Sequence, residues 1–168
     1  MELKNLPIIL GFAVLLLTLP AAVFLLSQRQ EARVGAGLSA TALVYIWPQN
    51  FVMPTGQSIT LEIKVDTKGQ LAKRAEAIIS FDPKLLSVTN IEAAPGVNLA
   101  QKALNSADGI LQLSGVGDFA ANETLATFKI TGLAPGAAEL KIAEAHVWDL
   151  TGQVDIFGNA MNAEVTVK

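Results

Sequence analysis

A single histidine, His146, stands beside Trp148 and Asp149 in a chain of 168 residues that holds no cysteine. A histidine can act as general base if a serine sits in a strained turn within its reach, but no Gly-x-Ser-x-Gly stretch occurs. Ser114-Gly115-Val116-Gly117 is rich in glycine, yet it opens no helix whose N-terminus could cradle a phosphate. Without cysteine there are no thiolate nucleophiles, no disulfides and no sulfur-ligated zinc or iron–sulfur sites. One histidine also leaves no multi-histidine cage. The weak metal candidates are Asp149 and Asp155, because calcium takes roughly six to eight oxygens from carboxylates and carbonyls. Asp149-Leu150-Thr151-Gly152-Gln153 lacks the alternating acids of a calcium loop, however, and reads more simply as a hairpin turn. No catalytic residue, metal or cofactor is expected, and the chain reads as a binding protein, not an enzyme.

What could it bind? Twelve Lys and Arg against fifteen Asp and Glu leave a net charge of -3, and a nucleic-acid binder needs a basic stripe instead. Tyr45, Trp47 and Trp148 are the side chains that could stack on sugar rings. Tyr45 and Trp47 share parity on one strand, which fits a polysaccharide platform or the edge of a core.

The elements that carry these residues begin with a membrane signal. A mean hydropathy of +0.44 is high for an ordinary soluble chain. Behind a short flank (residues 1–6), Pro7–Leu26 runs for twenty residues without a charge. A helix of that length spans roughly 30 Å, the hydrocarbon thickness of a bilayer. The best small-residue cleavage site, Val34-Gly35-Ala36, lies well beyond Leu26, which favours an uncleaved signal anchor over a removed signal. Residues 27–39 (SQRQEARVGAGLS) read as a stalk. Flanking charge does not set the orientation. The β-rich, cysteine-free domain that follows implies a single-pass protein of the cell membrane with its C-terminal domain outside the cytoplasm.

From residue 40 to residue 168 the hydrophobic period is two. Ile59, Leu61, Ile63 and Val65 alternate with Ser58, Thr60, Glu62, Lys64 and Asp66, and Ala163, Val165 and Val167 alternate likewise. Further strands are expected at Thr41–Trp47, Ala75–Phe81, Leu86–Glu92, Gly109–Gly115, Thr124–Thr131 and Ala137–Val147, and a short helix at Leu99–Asn105. Asp82-Pro83 sets a turn after which Leu85 is expected to re-enter the core. The sequon Asn122-Glu123-Thr124 falls in an expected loop. Eight to nine short strands in about 130 residues predict an all-β sandwich of two antiparallel sheets.

The order and spacing of four segments resemble a bacterial cohesin domain across about residues 41–168. They are Thr55-Gly56-Gln57-Ser58-Ile59-Thr60-Leu61-Glu62-Ile63-Lys64-Val65; Phe81-Asp82-Pro83-Lys84-Leu85-Leu86-Ser87-Val88; Ala107-Asp108-Gly109-Ile110-Leu111-Gln112-Leu113-Ser114 before Glu123–Ile130; and Gly136–Ala145 leading through Asp149-Leu150-Thr151-Gly152-Gln153 to Glu164-Val165-Thr166-Val167. The resemblance implies a jelly-roll sandwich that captures a dockerin, such as one borne by a polysaccharide-degrading enzyme. Related carbohydrate-binding modules share the sandwich, so direct glycan binding or surface adhesion stays open. Cohesins receive the partner on one sheet face. Carried over, that face presents Glu76, Ile78 and Ser80 on one strand, Ile110, Gln112 and Ser114 on a second, and Glu139, Lys141 and Ala143 on a third. Outward Ile78 and Ile110 would form an apolar centre inside a polar rim.

Overall fold

Alternation of apolar and polar side chains governs the fold of residues 40–168, the part of the chain that this computed structural model describes. The expected flank at 1–6, membrane helix at 7–26 and stalk at 27–39 lie outside the described residues. Eleven strands form, and among the described residues there is no helix. They are β1 (Ala42–Trp47), β2 (Asn50–Met53), β3 (Ser58–Asp66), β4 (Ala72–Ser80), β5 (Leu86–Ala93), β6 (Asn98–Asn105), β7 (Ile110–Phe119), β8 (Asn122–Gly132), β9 (Gly136–Asp149), β10 (Phe157–Met161) and β11 (Ala163–Val167).

A five-stranded sheet in the order β10-β1-β3-β8-β5 packs on a six-stranded sheet in the order β2-β11-β9-β4-β7-β6. The expectation of eight to nine antiparallel strands is corrected to eleven, with β1–β10 and β2–β11 pairing in parallel. The strands missed are short edge strands that lack alternation. In β10, Gly158 and Asn159 look like turn residues, but Gly158 is there because a Cβ would collide with the Ala40 backbone crossing over it. The chain moves from one sheet to the other at Trp47-Pro48-Gln49, where the Trp47–Pro48 peptide is cis.

The helix expected at Leu99–Asn105 is instead β6, paired antiparallel with β7. Most of its side chains are exposed on an edge. No dry face therefore enforces a period of two, and pairing with β7 overrides the helix-forming residues. The sequon is also not in a loop: Asn122 opens β8 and pairs with Asp66.

Facing inner sides supply the core. Val44, Ile46, Leu61, Ile63, Phe128 and Ile130 from one sheet meet Ala75, Ile79, Leu111, Leu113, Leu140 and Val147 from the other, all essentially inaccessible. Phe119 and Phe128 are the largest fully buried side chains. Each such burial removes enough apolar surface to contribute roughly 1.5–3 kcal/mol. At the Asp82-Pro83 turn, the Asp82 carboxylate accepts the Lys84 N–H at 2.9 Å. Leu86, not Leu85, then enters the core, while Leu85 stays half-exposed over Gly136. Gly109, with φ of +64°, closes the neighbouring turn, and a Cβ there would overlap the Phe81 carbonyl.

β9 contains the irregularity that matters most. Ile78 pairs with Glu144 but Ile79 pairs with Ile142, so Ala143 is an extra residue. This bulge reverses the parity of everything after it.

Candidate partner-binding face

Cross-strand register sets the outer side chains of the six-stranded sheet in ranks across β9, β4, β7 and β6. One rank reads Trp148, Arg74, Val116, Asn98, and the next reads His146, Glu76, Ser114, Gln101. The third reads Glu144, Ile78, Gln112, Ala103, and the fourth reads Lys141, Ser80, Ile110, Asn105. Between them lies a shallow depression of about 310 Å³, lined by Glu76, Ile78, Gln101, Gln112, Ser114, Glu144, His146 and Trp148.

The polar groups of the first ranks are bonded into a chain. The Arg74 guanidinium lies 4.3 Å from the centroid of the Trp148 ring, a cation–π contact, and its Nε donates to Glu76 at 2.9 Å. Ser114 Oγ donates to the same Glu76 oxygen at 2.7 Å. Burial pushes the Glu76 carboxyl up, but the Arg74 and Ser114 hydrogen bonds, with the charges of Arg74 and His146, outweigh it and hold the carboxyl below its ordinary value. His146 bonds at both ring nitrogens: Nδ1 to Asp155 at 2.6 Å and Nε2 to Glu144 at 3.1 Å. Its ring centroid is 5.3 Å from that of Trp148. The bonds to Asp155 and Glu144 raise the imidazole above its ordinary value despite partial burial.

Glu76, Ile78 and Ser80 do stand on the outer side of β4, and Ile110 and Gln112 on that of β7, with Ile110 39% exposed. Ser114 also points outward by register but is only 5% exposed, its hydroxyl engaged by Glu76. It supports the face without presenting to a partner. Glu139 and Lys141 are exposed on β9, where Glu139 accepts the Asn162 side-chain amide at 2.6 Å. Simple alternation along β9 missed Glu144, His146 and Trp148, while Arg74 shares the parity of Glu76 and was missed because the expected strand began at Ala75, three residues inside β4. The signal was present: the apolar set of β9 steps from Ile142 to Ala145, three apart, which an unbroken strand cannot hold on one face.

The three aromatics considered for sugar stacking do not share a platform. Tyr45 and Trp47 lie on the outer side of the five-stranded sheet, Trp148 on the opposite side of the sandwich. Tyr45 donates its hydroxyl to Asn122 at 2.8 Å, Trp47 is 53% exposed, and Trp148 already carries Arg74 and His146.

The two weak metal candidates are bonded into a turn. Asp149 is 4% exposed and accepts the N–H groups of Gln153 and Val154, each at 3.1 Å, and the Thr151 hydroxyl at 2.8 Å. Burial pushes its carboxyl up, but those bonds win and hold it below its ordinary value. Asp155 accepts the N–H groups of Val147 at 3.1 Å and Phe157 at 3.0 Å besides His146. These oxygens satisfy donors of the turn itself, which is the physical reason the loop closes as a hairpin.

No protein-family model matches the chain, and no curated protein matches it in sequence. Solved structures match the sandwich. One is a cohesin module of a family 33 glycoside hydrolase from Clostridium perfringens, with a TM-score of 0.65 and 12% identity, covering 76% of this chain and 98% of that one. Another is the sixth cohesin of scaffoldin B from Acetivibrio cellulolyticus, solved in complex with a dockerin, with a TM-score of 0.60 and 14% identity, covering 76% and 99%. A non-cellulosomal cohesin from the archaeon Archaeoglobus fulgidus gives 0.58 and 12%, covering 76% and 91%. The described residues therefore have the cohesin fold, an all-β sandwich of two sheets.

Proposed function

We propose that this chain is a membrane-anchored, non-catalytic binding module. It displays its sandwich outside the cytoplasm and captures a dockerin-like protein on the outer face of the six-stranded sheet. The observation that carries this reading is the ranked array around the depression, where Ile78 lines the floor beside a chain of bonded polar groups and Ile110 stands as its diagonal neighbour. An apolar centre within a polar rim is how protein interfaces are built. The dockerin bound to the Acetivibrio cellulolyticus cohesin supports the partner class. The uncharged run Pro7–Leu26 supports the anchor.

The test is capture from an extract of the source organism on the immobilised full chain, with and without a calcium chelator. Dockerins, the partners that the resemblance implies, fold on calcium. A captured protein that carries duplicated calcium loops and is lost on chelation supports the reading, provided that Glu76→Arg with Ile78→Asp abolishes capture. A protein retained under chelation removes the dockerin from the proposal. Recovery of polysaccharide without protein overturns it in favour of glycan binding.

A further inference from the structure

The chain has one histidine and no cysteine, so His146 is the one side chain whose ordinary titration falls between pH 5 and 8. It stands on the candidate face, 38% exposed, with a carboxylate at each ring nitrogen. Both bonds call for a donor, and only the imidazolium has two N–H groups. A neutral ring donates from one nitrogen alone and must let one carboxylate go.

The geometry decides which. Asp155 is fixed from three sides, accepting the Val147 and Phe157 N–H groups on Oδ1 while Oδ2 meets His146 Nδ1 at 2.6 Å. Glu144 has the longer bond, 3.1 Å, and a side chain 60% exposed at the rim of the depression. The other charged groups beside the ring are Glu76, cross-strand on β4, and Arg74, which Glu76 and Trp148 already engage. Arg74 therefore offers Glu144 no replacement.

We propose that His146 is a proton-controlled clasp on this face: protonated, it holds Glu144 and Asp155 together; neutral, it keeps Asp155 and releases Glu144 as an anionic contact for a basic segment of the partner. The inference rests on the partner-face reading and adds the partner's charge and the control of the contact. The direction in which the carboxylates move the imidazole, upward, agrees with a clasp closed in mild acid.

The clasp is tested without a partner. In the full chain in non-ionic detergent, Trp47→Phe leaves Trp148 as the single tryptophan, and its emission is followed from pH 5 to 9. A transition with its midpoint above about 6.5 is expected. It should disappear in His146→Gln and move to lower pH in Glu144→Gln. A transition that persists in His146→Gln, or a midpoint unmoved by Glu144→Gln, overturns the clasp. The released charge is read with a fluorescent hexalysine peptide, whose affinity should rise about fivefold across the same transition at low salt and lose that rise in 1 M salt. Absence of the rise, or its survival in Glu144→Gln, overturns the role of Glu144. If the capture experiment yields no protein partner, the proposed function fails while these two readouts stand or fall separately.

Discussion

The two outer faces of the sandwich are built from the same alternation, yet they use polar side chains differently. On the five-stranded sheet, short groups satisfy one another in place: Ser58 with Thr131 at 2.7 Å, Thr124 with Glu62 at 3.2 Å, and Lys64 with Glu62 on the same strand at 3.3 Å. These contacts, like that of Tyr45 with Asn122, link exposed or half-buried groups in twos and threes. On the six-stranded sheet, longer side chains bond onward from strand to strand, from Trp148 through Arg74 and Glu76 to Ser114, and enclose a depression with isoleucine beside it. Polarity alone does not mark a recognition surface. Bonded groups set beside an exposed apolar contact suit one better, because they are held in place before a partner arrives and lose less freedom on binding.

Substitutions can break this contrast, and the largest effect should erase both faces together. Phe128→Ala removes a fully buried ring between the sheets and should cost about 3–5 kcal/mol in denaturant unfolding. Next, Ile78→Asp should reduce partner affinity by about 30-fold or more, as a central contact of at least 2 kcal/mol would, while the fold survives. Binding that withstands this change would move the site off the six-stranded sheet. Asp149→Asn tests the turn at the end of β9, with an expected loss of about 1–2 kcal/mol at neutral pH. The folded carboxyl titrates below its ordinary value, so its contribution is present above about pH 3.8 and fades as pH falls through the folded value. Unfolding curves of wild type and Asp149→Asn should therefore converge in acid.

His146→Gln should be smaller. The folded imidazole titrates above its ordinary value, so its stabilisation is complete below about pH 6.5 and lost as pH rises through the folded value. For a ring this exposed, solvent screening keeps the difference under about 1 kcal/mol, visible as a pH slope present in wild type and absent in the variant. Smallest of all, Tyr45→Ala with Trp47→Ala should leave partner capture unchanged within about twofold. A clear loss there would mean that the five-stranded face binds.

Legibility in the sequence followed burial. β3 and β11 were readable to the parity of each residue because one face of each is dry. β6 and β10 were not, since their mostly exposed side chains leave no dry face to impose alternation, and each is held at an edge by pairing, β6 with the next strand β7 and β10 with the distant β1. The site divided in the same way. Glu76, Ile78, Ile110 and Gln112 follow from alternation on β4 and β7. Trp148 and His146 required the bulge at Ala143, which shows only as a three-residue step in the apolar pattern. Their contacts with Arg74 and Asp155 depend on register and on a turn, and neither is written in local spacing.

The two parallel pairings set an order on folding. β1 is held against β10 from Ala42↔Phe157 onward, and β2 against β11 from Asn50↔Glu164 onward. More than a hundred residues must therefore be present before the first two strands find their outer neighbours, and closing so large a loop precedes any reward from its contacts. While the chain is being made, β1 can pair with β3, but β2 must wait for β11. The sheet that bears the candidate face is thus the last to be completed, so an unfinished or truncated chain would present that face without its β2–β11 border.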